Sequence, residues 1–139
     1  AMDVSRRNVR RNGLDGRVSF LLADVMKQPP IMTGSFDLVV SNPPYIPTFD
    51  ILTLDPSVRD YEPVWALDGG DDGLDFYRGF NDIYPQMLAP GGLLLYEIGE
   101  EQGEAVAALL RNAGLERVAI LRDVYGQPRN VLGYAPDEN

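Results

Sequence analysis

Residues 36–45 read Phe-Asp-Leu-Val-Val-Ser-Asn-Pro-Pro-Tyr, and they carry the clearest structural signal in the chain. The compact apolar run at 36–40 lacks polar alternation, which is typical of a strand buried on both faces of a parallel sheet. Two prolines after Asn42 hold their φ angles near about −65° and push the preceding residue out of the helical region. We therefore predict a strand that ends at Ser41-Asn42 and a stiff, extended loop that fixes the direction of the Asn42 side chain.

The other apolar patterns alternate between strand and helix. Further strands are predicted at residues 18–23, ending at Asp24, and at 93–98, 118–121 and 130–134. Helices are predicted at residues 5–11, with Ser5 as N-cap, at 74–88, ended by the Pro-Gly-Gly at 90–92, and at 105–113. This order predicts an α/β fold with a mostly parallel sheet covered on both faces. Residues 42–73 are rich in proline and acidic residues and show little periodicity. Connections of this length are uncommon unless they have a function, so we interpret the segment as a functional loop.

The composition excludes several kinds of chemistry. The 139 residues include no cysteine and no histidine, which excludes disulfides, zinc sites of the usual kind and histidine-based nucleophile systems, and no metal site is expected. No apolar run approaches the roughly 20 residues of a membrane helix, and no signal peptide is evident, so a cytoplasmic location is expected. The net charge of −9 argues against a duplex DNA partner.

The Asn-Pro-Pro-Tyr stretch has the chemistry of a pocket for a planar amino group. Prolines lack an N–H, so the local backbone offers only acceptors, and the Asn42 side-chain oxygen and the Pro43 carbonyl can both accept from one –NH₂ group. The ring of Tyr45 can pack against the face of the same flat group. The alternative is that these residues only form a turn, but their place at the end of a buried strand favours a site.

Residues 42–45 resemble the signature of S-adenosylmethionine-dependent amino-methyltransferases, which modify planar nitrogens such as glutamine amides and adenine N6. The wider sequence is similar to the glutamine N5-methyltransferases that act on peptide-chain release factors. The matching stretches are Glu62-Pro63, Ala66-Leu67, Gly69-Gly70, Gly73-Leu74, Tyr77-Arg78, Leu88–Gly92, Glu97–Gly99 with Gln102, and Asp123, Gly126 and Arg129.

This resemblance implies roles for individual residues. Asn42, Pro43 and Pro44 would hold the substrate amide, with Tyr45 beside it and Asn42 also facing the cofactor. Asp3 would hold the ribose hydroxyls of S-adenosylmethionine, and Asp24 would lie near its adenine amine. The alternatives are a carboxylate at a helix start for Asp3 and a turn residue at a strand end for Asp24. Glu62 and Glu97 match family positions, but no role for either follows from their chemistry, and for Arg129 a structural ion pair is favoured at least as much as a substrate contact.

The resemblance also implies a class I, Rossmann-like methyltransferase fold with an antiparallel closing strand. The family's first strands and glycine-rich loop would precede Asp3, so residues 1–139 are expected to be the C-terminal part of a catalytic domain. Without those strands, the strand ending at Asp24 and the strand ending at Asn42 are expected to pair directly, or to have their edges covered by a second copy in a homodimer. The third outcome, a partly disordered N-terminus, is less favoured.

The predicted function is methylation of a glutamine amide in a release-factor-like protein. One alternative is an adenine N6 methyltransferase on nucleic acid, which the acidic charge and the stretches after residue 60 disfavour. The other is a truncated, catalytically silent domain that binds partners or only dimerises. The chain alone is expected to bind S-adenosylmethionine weakly or not at all.

Overall fold

The structure is a computed structural model that describes residues 1–27 and 33–137. It divides into two compact units, Ala1–Pro30 and Ile31–Asn139. None of the helices in the described ranges is long and apolar enough to cross a bilayer.

The first unit contains one helix, α1, at Met2–Arg11. Ser5 is not its N-cap, because the helix begins three residues earlier and the Ser5 hydroxyl instead donates to the Ala1 carbonyl at 3.3 Å. Asp3 lies in the first turn, where a carboxylate interacts favourably with the unpaired N–H groups of the helix start. The guanidinium of Arg6 lies 5.9 Å from the centre of the Phe20 ring.

The strand predicted at residues 18–23 is wrong. Those residues adopt neither helix nor strand, and Leu21 and Leu22 are exposed. A strand needs a neighbour to accept and donate its backbone hydrogen bonds, and the described part of the chain provides none for this segment. The expected direct pairing of this segment with the strand before Asn42 is therefore also wrong.

The second unit is built on a four-stranded sheet in the order β1-β2-β4-β3. The strands are β1 Phe36–Ser41, β2 Leu88–Glu97, β3 Glu116–Arg122 and β4 Pro128–Tyr134. β1 and β2 are parallel, and β4 is antiparallel to both β2 and β3, so three strands share one direction and the closing strand opposes them. The predicted α/β arrangement with an antiparallel closing strand is confirmed.

Helices cover one face of this sheet. They are α3 Asp75–Asn81, α4 Tyr84–Met87 and α5 Gly103–Asn112; α4 and α5 contact strands directly, and the Tyr77 hydroxyl of α3 donates to the Glu97 carbonyl of β2. A further short helix, α2 Pro56–Arg59, lies in the loop after β1. Alternate residues of β2 and β4 point into the core on this face, where the fully buried side chains are Tyr77, Leu94, Tyr96, Ile98, Val106, Leu110 and Val131. On the opposite face Leu38 and Val40 of β1 are exposed, so cover on both faces is not observed at this edge.

The helix predicted at residues 74–88 is interrupted. Pro85 has no N–H for the helical ladder and crowds the preceding turn, so the segment forms α3 and α4 instead of one continuous helix. The Pro-Gly-Gly at 90–92 lies inside β2, where the pairing with β1 shifts from Phe36–Leu88 to Leu38–Leu93. The Pro-Gly-Gly, which the sequence predicted as the end of a helix, therefore lies in an irregular part of the strand.

β1 is an edge strand in the described sheet, paired with β2 on one side only. Its open edge carries unpaired backbone groups beside the exposed Leu38 and Val40. A second copy covering this edge stays a prediction.

Candidate functional site

Asn42 directly follows β1, at the carboxyl end of the strand where open α/β sheets bind ligands. Its side chain is exposed and that of Pro43 is buried. A cavity of about 170 Å³ opens beside them, lined by Asn42, Pro43, Pro44, Tyr45, Ile46, Ala66 and Leu67. The structure thus places the four consecutive residues of the predicted amide site in the lining of one small cavity.

A clamp between two loop segments fixes Ile46 and Leu67, which also line this cavity. Ile46 donates its backbone N–H to the Leu67 carbonyl at 3.0 Å, and Gly69 donates back to the Ile46 carbonyl at 2.9 Å. The Thr48 hydroxyl adds a hydrogen bond of 2.7 Å to Asp68, whose pKa is lowered first by this bond and then by the Gly70 N–H. The long loop is therefore closed at its base, immediately beside Tyr45.

Two glycines allow the backbone of this clamp to approach Tyr45. A Cβ on Gly69 would lie 2.8 Å from the Tyr45 Cα, closer than real Cβ contacts. Gly73 has φ +74°, and a Cβ there would collide with the Tyr45 carbonyl oxygen. These close approaches explain why glycines occupy both positions. The sequence indicated the two glycines only through the family resemblance.

Gln102 ties three separate segments together, and sequence reasoning gave it no role. Its side-chain Nε2 donates to the carbonyls of Tyr45 at 2.9 Å and Gly73 at 3.2 Å, while its Oε1 accepts from the Gly99 N–H at 3.0 Å. Gln102 immediately precedes α5, so the helix start, the end of β2 and the loop after β1 share one amide. No local pattern could reveal it, because Tyr45 is 57 residues away.

The Tyr45 ring is oriented from its hydroxyl end by Glu97. That hydroxyl donates to Glu97 Oε1 at 3.4 Å, and the neighbouring Tyr77 hydroxyl donates to the Glu97 backbone carbonyl at 2.7 Å. Partial burial raises the pKa of the Tyr45 hydroxyl, and the Glu97 carboxylate raises it further. Tyr45 is therefore neutral at physiological pH and acts as a wall and a hydrogen-bond donor.

Arg129 and Glu62, which the sequence also singled out, are not among the residues that line the cavity beside Asn42. Arg129 pairs with Asp123 at 3.4 Å, as the ion-pair interpretation predicts, and its charge also acts on Tyr45. Glu62 is exposed, between α2 and the single turn Val64–Ala66.

A second cavity of about 440 Å³ shares Tyr45 and Ile46 with the first. Its apolar lining includes Ile46, Pro47, Leu74 and Ala105, and four carboxylates stand around it: Asp50, Asp72, Glu100 and Glu101. Asp72 pairs with Arg78, so the negative charge of this lining comes mainly from Asp50, Glu100 and Glu101.

The two acids predicted to face the cofactor lie in the first unit. Asp3 is exposed on the first turn of α1. One oxygen of Asp24 accepts from the Met26 N–H at 3.1 Å and the other pairs with Lys27 at 3.4 Å, so this carboxylate organises a turn. Their roles toward a cofactor stay predictions.

Comparison with known proteins gives one consistent family name. A release factor glutamine methyltransferase of Caulobacter vibrioides is 47% identical over 133 residues, which cover 96% of this chain and 45% of that relative. Another, from Rhodospirillum rubrum, is 45% identical over 132 residues, covering 95% of this chain and 40% of that relative. The chain thus spans less than half the length of these relatives. No known protein-family profile matches it.

A solved structure supports the fold. The crystal structure of a methyltransferase from Pyrococcus furiosus aligns with a TM-score of 0.57 at 14% identity, covering 96% of this chain and 57% of that one. At this identity the likeness concerns the fold alone, and it agrees with the class I methyltransferase fold that the sequence predicts.

Proposed function

This chain is a homologue of a segment of the release factor glutamine methyltransferases, and on that premise we propose that it carries the amide-binding part of such a catalytic domain. The observation that supports this proposal is the cavity beside Asn42, Pro43, Pro44 and Tyr45, with its walls fixed by Gln102 and the two glycines. The proposed substrate is a glutamine side chain in a release-factor-like protein, met in the cytoplasm.

The cavity residues would act by orienting the amide. An amide nitrogen is a poor nucleophile because its lone pair is delocalised into the carbonyl. Asn42 Oδ1 and the Pro43 carbonyl would accept the two hydrogens of the –NH₂ group, localise the lone pair and aim it along one direction. Tyr45, held by Glu97, would pack against the amide face and exclude water. Positioning of this kind supplies a large part of the rate in reactions without a covalent intermediate.

The proposed cofactor is S-adenosylmethionine, which when bound supplies an electrophilic methyl group on a sulfonium. The exposed carboxylate of Asp3 fits the acceptor that ribose hydroxyls require. The Asp24 carboxylate is likewise a suitable hydrogen-bond acceptor for the adenine amine. Its oxygens already accept from the Met26 N–H and pair with Lys27. We propose Asp3, Asp24 and Asn42 as the cofactor-facing residues.

A chimera tests the proposal, because the chain matches less than half of each relative. We expect the Caulobacter vibrioides relative, with its matching segment replaced by this chain, to add one methyl group to a glutamine of release-factor protein. Peptide mass spectrometry would locate the added 14 Da, the mass of one CH₂. Methyl transfer to DNA or RNA instead of protein would contradict the proposal and favour the adenine alternative.

The chain alone provides a second test. We expect calorimetric titration with S-adenosylmethionine to show weak binding or none, because the resemblance places a glycine-rich cofactor loop ahead of Asp3. Low-micromolar binding by the chain alone would contradict this expectation. An active chimera that requires its relative's N-terminal part would agree with it.

A further inference from the structure

The loop at residues 48–66, here the rim loop, is ordered and yet turns large apolar side chains to solvent. Its 3-10 helix at Thr48–Thr53 buries Ile51, while Phe49 and Leu52 are 81% and 73% exposed. A 3-10 helix has three residues per turn, so residues 49 and 52 stand on the same face. The loop is thus anchored by one apolar residue and displays two others side by side.

The second half of the rim loop continues this pattern. Tyr61 is 85% exposed and Trp65 is 77% exposed, and Val64 between them is also exposed. Single exposed apolar residues are ordinary on protein surfaces, whereas several within one short segment mark an interaction surface. Aromatic residues are the ones most enriched at such interfaces.

The charge around the rim loop specifies the kind of partner. Residues 46–78 contain eight acidic residues and two basic residues, Arg59 and Arg78, and Arg78 pairs with Asp72 and Asp75. Arg59 pairs with Asp60 at 2.9 Å. The large cavity next to Tyr45 is lined by further carboxylates, including Glu100 and Glu101. A surface with this charge steers basic partners toward it and repels acidic ones.

The base of the rim loop lies at the amide cavity. The clamp between Ile46 and Leu67 closes the loop, and Ala66 and Leu67 line the cavity beside Asn42. Trp65 is the residue immediately before them. A partner held by the rim loop is therefore held at the mouth of that cavity.

We propose that the rim loop is the docking surface for a basic polypeptide segment with apolar side chains, which it holds beside Asn42. Lysine or arginine residues of the segment would meet the carboxylates, and its apolar residues would cover the exposed side chains of the rim loop, Tyr61 and Trp65 among them. That this segment presents a glutamine rests on the proposed function, whereas the docking does not.

Trp65 is the only tryptophan in the chain and reports docking directly. The probe is a blocked peptide, Lys-Leu-Lys-Gln-Lys-Leu-Lys, and its twin has glutamate in place of every lysine. We expect the lysine peptide to shift Trp65 emission to shorter wavelength, saturably and more weakly at high salt, and the glutamate twin to have no effect. Tyr61→Ser should weaken binding at least about fivefold, equivalent to about 1 kcal/mol. Tyr125→Ser, which removes an equally exposed tyrosine from the β3–β4 turn, should leave it unchanged.

The docking proposal would be overturned by no response to the lysine peptide, by equal binding of the twin, or by equal losses in the two tyrosine variants. If the Trp65 emission shifts with protein concentration in the absence of peptide, and sedimentation shows dimers, the surface binds a second copy of the chain. That result would also overturn the docking proposal. If the lysine peptide docks but the chimera methylates no glutamine of release-factor protein, the proposed function is refuted and the docking is supported. If the chimera methylates the glutamine of both peptides while neither peptide changes the Trp65 emission, the function is supported and the docking is overturned.

Discussion

Replacing Gln102 by methionine should destabilise the second unit substantially. Methionine has a similar length and fills the same space, but it loses the two donated bonds to Tyr45 and Gly73 and the bond accepted from Gly99. Each part-buried bond between neutral groups contributes roughly 0.5–1.5 kcal/mol, and their former partners are left without a replacement, so we expect a loss of about 2–4 kcal/mol.

Equilibrium unfolding in urea, followed by circular dichroism, measures this loss as a lower midpoint at unchanged slope. Gln86→Met is the matched control, because the Gln86 side chain is exposed and bonds only to the Asp82 carbonyl among the described contacts. It should change stability by less than about 0.5 kcal/mol. A loss below about 1 kcal/mol for Gln102→Met, or equal losses in the two variants, would refute the role assigned to Gln102.

Three further predictions concern the amide site. Asn42→Ala in the chimera should lower the rate of glutamine methylation by about 10²–10³ and leave the urea midpoint unchanged, because the side chain is exposed; a rate close to wild type would exclude the assigned role. Gly73→Ala should cost more than about 2 kcal/mol in urea unfolding, through its collision with Tyr45, whereas Gly114→Ala, which shares the positive φ but faces open space, should cost only about 1 kcal/mol. The folded state raises the pKa of Tyr45 and so binds its proton more tightly, which means that its contribution to stability is present below about pH 10 and is lost as the pH rises through the folded pKa. Glu97→Gln should lower that folded pKa in an NMR titration of the Tyr45 ring, and an unchanged value would contradict the contact.

The sequence predicted those parts of the fold in which local chemistry and burial agree. The end of β1 at Ser41 was predictable because Pro43 and Pro44 lack the N–H groups that a paired strand donates. β3, β4 and α5 were predictable from compact apolar patterns between glycines. The predicted strand at 18–23 failed because apolar composition alone does not supply a partner strand.

Only one part of the candidate site, the Asn-Pro-Pro-Tyr stretch, was predictable from the sequence. The chemistry of Asn42 and the two prolines is local, so a single stretch of sequence indicates it. The contacts of Gln102 and Gly73 with Tyr45 join residues far apart in the chain, and no periodicity records such a contact. The exposure of Trp65 in the rim loop was equally hidden, because apolar residues in a sequence are normally interpreted as core.

The threefold attachment of Gln102 bears on how the Asn-Pro-Pro-Tyr stretch can be used in protein engineering. Grafting those four residues onto the strand end of another sheet would transfer the two acceptors without the amide that holds the Tyr45 carbonyl in place. A usable graft would also need the glycine pair at 69 and 73 and a glutamine at the start of the helix that follows the neighbouring strand. The smallest portable unit is therefore three discontinuous segments spanning about sixty residues, from Asn42 to Gln102.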